Sequence, residues 1–111
     1  MLFGAHVSIA GGVQEAPHNA GSIGCECFQL FTRSPRGGQA PALTPEVIRL
    51  FRSACETNKQ QAWYVHTPYY INLASGSAHI RRASIRIIRE ELDRGTLIGA
   101  TAVIKIGRAH V

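Results

Sequence analysis

Apolar positions in this chain fall into short runs separated by stretches with helical spacing. Leu2 to Val7 is a brief apolar run bounded by glycine and predicts a first strand. Val13, Ala16, Ala20 and Ile23 then recur at helical spacing, with Pro17 near the start of the run and Gly24 as its stop. Cys25 to Thr32 alternates: Cys25, Cys27, Gln29 and Phe31 share one face, and Glu26, Phe28, Leu30 and Thr32 the other. A loop rich in glycine and proline spans Arg33 to Leu43. Thr44, Pro45 and Glu46 supply an N-cap, an N1 proline and a first-turn acid, so a helix begins there, carries Val47, Leu50, Phe51, Ala54 and Cys55 inward, and ends near Asn58.

Ala62 to His66 predicts a third strand and Thr67 to Gly76 a loop. Ser77 to Leu97 predicts a long helix with Ile80, Ser84, Ile87 or Ile88, and Leu92 inward. Arg81, Arg82, Arg86, Arg89, Glu90, Asp93 and Arg94 fall on its outer face, where Glu90, Glu91 and Asp93 pair with the arginines on a solvated surface. Gly99 marks the exit, and Ala100 to Ile104 a fourth strand. Strands alternating with helices imply an α/β fold with a parallel sheet, open or closed into a barrel.

Composition narrows the class. The chain has 111 residues, 45% of them hydrophobic, which suits one packed domain and excludes a disordered chain. The formal net charge of +5 favours polyanions such as nucleic acid, though a mildly basic soluble protein needs no such partner. No apolar run has membrane-spanning length, and the start carries no export signal, so three reduced cysteines in a cytoplasmic compartment are expected. Neither a dinucleotide fingerprint nor a P-loop is present.

Sites in parallel α/β folds form at the carboxyl ends of strands. His6 and Ser8 end the first strand, Thr32, Arg33, Ser34 and Arg36 the second, and His66, Thr67, Tyr69, Tyr70 and Asn72 the third. His66 suits a metal ligand, but on the residues alone a histidine bonded to a loop carbonyl is the favoured reading. Arg33 and Arg36 suit phosphate or a solvated loop. Tyr69 and Tyr70 suit stacking on bases or packing over a barrel mouth. The spacing of Cys25 and Cys27 belongs to a strand, not to a zinc knuckle.

Together these segments resemble a known family. Gly4-Ala5-His6-Val7-Ser8-Ile9-Ala10-Gly11-Gly12 is similar to the opening of endonuclease IV-type apurinic/apyrimidinic endonucleases. Phe28 to Ser34 resembles that family's second strand and loop, and Tyr64-Val65-His66-Thr67-Pro68-Tyr69-Tyr70-Ile71-Asn72-Leu73-Ala74 its third. Arg89-Glu90-Glu91-Leu92 with Gly99-Ala100 continues the register. The resemblance implies the N-terminal part, about three and a half βα units, of a TIM (β/α)8 barrel over residues 1–104. It implies a DNA-repair nuclease holding three zinc ions that cleaves the phosphodiester 5′ to abasic sites in duplex DNA. By resemblance His66 is a zinc ligand, Tyr69 enters the DNA at the abasic site, Arg36 penetrates the base stack, and His6 lies near the metal centre outside the ligand set. Arg33 lies in the same DNA-contacting loop.

A TIM barrel needs about 250 residues, so further strands and ligands are expected beyond these. The chain alone is expected to be inactive. A sugar-phosphate isomerase or epimerase barrel, or a non-enzymatic module that dimerises through its sheet, would share the element order. Residues 105–111, Lys105-Ile106-Gly107-Arg108-Ala109-His110-Val111, leave the family pattern, with isoleucine at 106 where a ligand histidine is expected. They match one reading frame of a widely used sequencing adapter, AGATCGGAAGAGCACACGTC, and a non-native tail is expected there. His110 is given no ligand role.

Overall fold

The computed structural model describes residues 1–107. Four strands, β1 (Gly4–His6), β2 (Cys27–Leu30), β3 (Ala62–His66) and β4 (Ala102–Ile104), form one parallel sheet in the order β1-β2-β3-β4. Between them run α1 (Ala16–Ser22), preceded by a 3-10 turn at Val13–Glu15, then α2 (Pro45–Thr57) and α3 (Ala78–Leu97). Each strand pairs with the next in sequence, as expected of consecutive βα units in a barrel wall.

Local chemistry sets the boundaries. The Thr44 side chain accepts from Val47 N at 3.2 Å and caps α2, and the Ser77 side chain accepts from Ile80 N to cap α3. Pro17 sits in the first turn of α1, where its missing N–H is no loss, and residues 13–15 tighten into a 3-10 turn ahead of it. Three strands are shorter than the runs that predicted them: β1 covers Gly4–His6 of the expected 2–7, β2 Cys27–Leu30 of the expected 25–32, and β4 Ala102–Ile104 of the expected 100–104.

The register sorts side chains between two faces. Ala5, Phe28 and Trp63 are partners across the sheet, as are Leu30, Val65 and Val103. Phe28, Leu30 and Val65 pack with Val13, Ala16, Ala20, Phe51, Cys55 and Ile98 into the core under the helices. Trp63 stacks on Phe28 and donates Nε1–H to Ile98 O at 2.9 Å. Gly95 brings α3 close to the sheet: a Cβ there would lie 3.4 Å from Val103 and 3.6 Å from Val65. The opposite face carries His6, Gln29, Tyr64, His66 and Ile104, which are half-buried or exposed.

The inward face of α3 differs from the expectation. Ser84, Ile87, Glu91 and Gly95 are buried, while Ile80 and Leu92 are exposed. The expected solvated pairing of the helix is corrected at Glu91, which is fully buried. Lys105, Ile106 and Gly107 adopt no regular structure; residues 108–111, including His110, lie outside the described residues. Among the described residues no helix is long and apolar enough to cross a membrane.

Candidate functional site

The alternation of β1 and β3 places His6 and His66 on the face away from the helices, at the carboxyl ends of their strands. Their ring centroids lie 6.2 Å apart. Phe31, just past β2, sits between them, 4.5 Å from the His6 ring and 5.0 Å from the His66 ring. Tyr69 joins the cluster at 5.2 Å from Phe31 and 6.2 Å from His66, and the residue is 62% exposed. The structure therefore gathers His6, His66 and Tyr69 at one end of the sheet.

His66 Nδ1 lies 2.6 Å from Thr67 O. A carbonyl only accepts, so Nδ1 carries a proton, and in the neutral ring Nε2 is the nitrogen with the lone pair. That is the carbonyl-bonded histidine of one sequence reading, and it is also the arrangement that fixes a ligand tautomer in metal sites. His6 Nδ1 is bonded to Gln29 Oε1 at 2.9 Å. The donor chemistry at His66 thus fits a zinc ion through one imidazole nitrogen. No cluster of three or more His, Cys, Asp or Glu that could hold a metal occurs among the described residues, so a complete centre needs donors from elsewhere.

The two arginines of the loop after β2 part company. Arg36 is exposed and lines an open cleft of about 470 Å³ with Tyr70, His79 and Arg86. Arg33 is 4% exposed and turns inward, donating from Nε to Glu91 Oε1 at 2.6 Å and from Nη2 to Glu90 Oε2 at 2.7 Å. Burial works against its charge, but the bonds to Glu90 and Glu91 outweigh that and raise its pKa. Glu91, 0% exposed, also accepts from Thr32 Oγ1 at 2.8 Å. Arg94 donates from Nε to Thr32 Oγ1 at 2.8 Å, from Nη2 to Thr32 O at 2.7 Å, and from Nη1 to Pro41 O at 2.7 Å. Burial lowers the Arg94 pKa, only partly offset by Glu91 and Glu90. Sequence reading missed this cluster, because its members lie about sixty residues apart and have the composition of a solvated helix face.

Residues 17–110 match the family described as xylose isomerase-like TIM barrel. The chain belongs to that family. It is 41% identical over 95 residues to a probable endonuclease 4 of Methanosphaerula palustris, covering 86% of this chain and 33% of that protein. It is 33% identical over 108 residues to a probable endonuclease 4 of Geobacter sulfurreducens, covering 97% of this chain and 36% of that protein. Its fold matches the crystal structure of endonuclease IV from Thermus thermophilus with a TM-score of 0.88 and 30% identity, over 95% of this chain and 39% of that one. The chain therefore spans about a third of the length of the curated relatives it matches. Its four parallel strands correspond to the N-terminal part of such a barrel.

Proposed function

We propose that the complete protein is a zinc-dependent endonuclease that cleaves the phosphodiester 5′ to abasic sites in duplex DNA. The observation that carries this reading is His66, with Nδ1 tied to Thr67 O and Nε2 left to ligate, beside an exposed Tyr69 in a chain akin to endonuclease 4 proteins. His66 would hold one zinc ion through Nε2. His6, braced by Gln29, lines the same end of the sheet outside the ligand set. A zinc ion held there would supply Lewis-acid chemistry, lowering the pKa of a water and offsetting charge on a leaving oxygen.

This chain's own residues bind and orient the DNA. Tyr69 offers a ring at the strand ends that fills the gap left by a missing base. Arg36, on the neighbouring loop, reaches the phosphates or the opened stack as a cation. Arg33 is committed to Glu90 and Glu91, so its part is to shape the loop rather than to touch phosphate. The reading carries a cytoplasmic location with it. A sugar-phosphate isomerase or epimerase is the second reading, to which the family's description is also akin; it would use the same histidines on a small carbohydrate.

Nicking of a synthetic abasic duplex by the complete protein, with and without chelator, tests the proposal. Zinc-dependent nicking is expected, with zinc content lowered and nicking lost in His66→Gln. Full nicking after exhaustive zinc removal overturns the metal assignment. Aldose–ketose interconversion without nicking selects the second reading.

A further inference from the structure

Helix α3 holds the loops on either side of the candidate site. Ser84 Oγ accepts from Asn72 N at 2.9 Å and fixes the loop after β3. Glu91 and Arg94 grip the loop after β2 at both ends, at Thr32 and Arg33 where it leaves the strand and at Pro41 ahead of α2. The stretch between carries Ser34, Pro35, Arg36, Gly37 and Gly38, and both glycines have positive φ. Such a sequence has little conformation of its own. Its middle touches the other loop through Tyr69 N, which donates to Pro35 O at 3.0 Å.

We infer that Glu91 is the positioning residue of the site: with Thr32, Arg33 and Arg94 it presets loop 33–41, and through the Pro35–Tyr69 bond it sets the backbone of Tyr69. The bond pattern is saturated in a way that makes this an assembly. The Thr32 hydroxyl spends its proton on Glu91 and accepts from Arg94, and each Glu91 oxygen takes a separate donor. Two arginines and two glutamates balance in charge, and the most deeply buried pair, Arg33 and Glu91, are bonded to each other. A loop preset in this way does not have to be ordered when a ligand arrives, and affinity rises accordingly. What the loop contacts rests on the nuclease reading; that Glu91 orders it does not.

Amide hydrogen exchange on the complete protein without DNA is the test. In Glu91→Gln, exchange at Tyr69, Arg36 and Gly37 is expected to quicken by roughly tenfold or more, the response to weakening one buried charge-assisted bond. Leu30 and Val65, in the central strands, should stay as protected as in the parent. Thr32→Val should reproduce the local effect and Thr32→Ser should not, which keeps the test open if Glu91→Gln fails to fold. Unchanged exchange in the loop, or equal acceleration across the sheet, overturns the inference. Abasic-duplex affinity separates the two proposals. A parent that ignores abasic DNA while Glu91→Gln loosens the loop defeats the nuclease reading and upholds the clamp. A parent that binds it while the loop stays unchanged does the reverse.

Discussion

Tyr69 and Pro35 are bonded main chain to main chain, Tyr69 N donating to Pro35 O at 3.0 Å, so the loops after β2 and β3 form one surface. The Tyr69 ring stands out from that surface while its backbone is pinned. An exposed aromatic on a fixed stem is suited to insertion, because little backbone entropy remains to be lost on binding.

Replacing Tyr69 by alanine should therefore weaken abasic-duplex binding far more than folding. Base-stack contacts by aromatics are worth roughly 1–3 kcal/mol, equivalent to roughly 5- to 150-fold in Kd. Titration of the complete protein at matched salt checks this, alongside a thermal melt expected to change little. Equal affinity in mutant and parent would remove Tyr69 from the DNA surface.

Arg33 and Glu91 should show opposite behaviour singly and together. Arg33→Met leaves the buried Glu91 carboxylate short of its main partner and should cost about 3 kcal/mol or more in stability. Adding Glu91→Leu removes the stranded charge and should recover much of that loss, leaving Arg94 on Thr32 O and Pro41 O. Urea unfolding of parent, singles and double reads the coupling. Additive losses would mean that the two side chains do not act as a pair.

The contrast between α2 and α3 explains what could be read from the chain itself. The start of α2 was legible because Thr44, Pro45 and Glu46 signal it locally, and Phe51, Ala54 and Cys55 are as buried as their spacing requires, whereas Leu50, expected inward with them, is exposed. His6 and His66 were legible as strand-end residues because alternation and parallel strand order fix a face, although β2 lies between their strands. The inner face of α3 was not, because its buried row contains Ser84, Glu91 and Gly95, which an apolar pattern cannot find. Leu92 was assigned inward on hydrophobicity yet is exposed. Glu91 is buried only because Thr32 and Arg33 lie opposite, and no local spacing reveals a partner 58 or 59 residues away. Arg33 and Arg36 looked equivalent for the same reason.

Residues 105–111 carry a separate proposal, that they translate a sequencing adapter instead of family sequence. In that frame ATC-GGA-AGA-GCA-CAC-GTC encodes Ile106 to Val111, and the adapter's leading AG completes an AAG lysine codon at Lys105. The family match runs through residue 110, so the decision belongs to the nucleotide sequence. Resequencing the source locus across codon 105 is expected to diverge there. Genomic reads confirming the same codons on both sides would retire the proposal.

The 111 residues expressed by themselves should self-associate. Ile85 and Leu92 lie exposed on α3, Ile104 on β4, and Leu2 and Phe3 ahead of β1. β1 and β4 each have one side without a strand partner among the described residues. Open parallel edges flanked by apolar side chains pair readily with other copies. Light scattering over a range of concentrations is expected to give masses above the 12.1 kDa monomer. A monodisperse monomer with a cooperative melt would show that these surfaces need no cover.

Cys55 offers a pH-dependent check on the core. Burial pushes its thiol from the ordinary 9.0 up to about 12, against a smaller opposing pull from the Arg52 charge. At pH 8 the thiol therefore stays protonated, and the thiolate is the species that alkylates. Cys25 and Cys27 are only half-buried. Iodoacetamide applied to the native complete protein at pH 8 should spare Cys55, which is marked in urea. Linkage adds a second signature. The folded state holds the Cys55 proton more tightly than the unfolded chain does, so this group's contribution to stability is intact below pH 9 and declines as pH climbs towards 12. Cys55→Ala should remove that alkaline component while opening a small cavity beside Phe51 and Phe28. Rapid native labelling of Cys55 at pH 8 would mean that the core under α2 opens far more often than its packing allows.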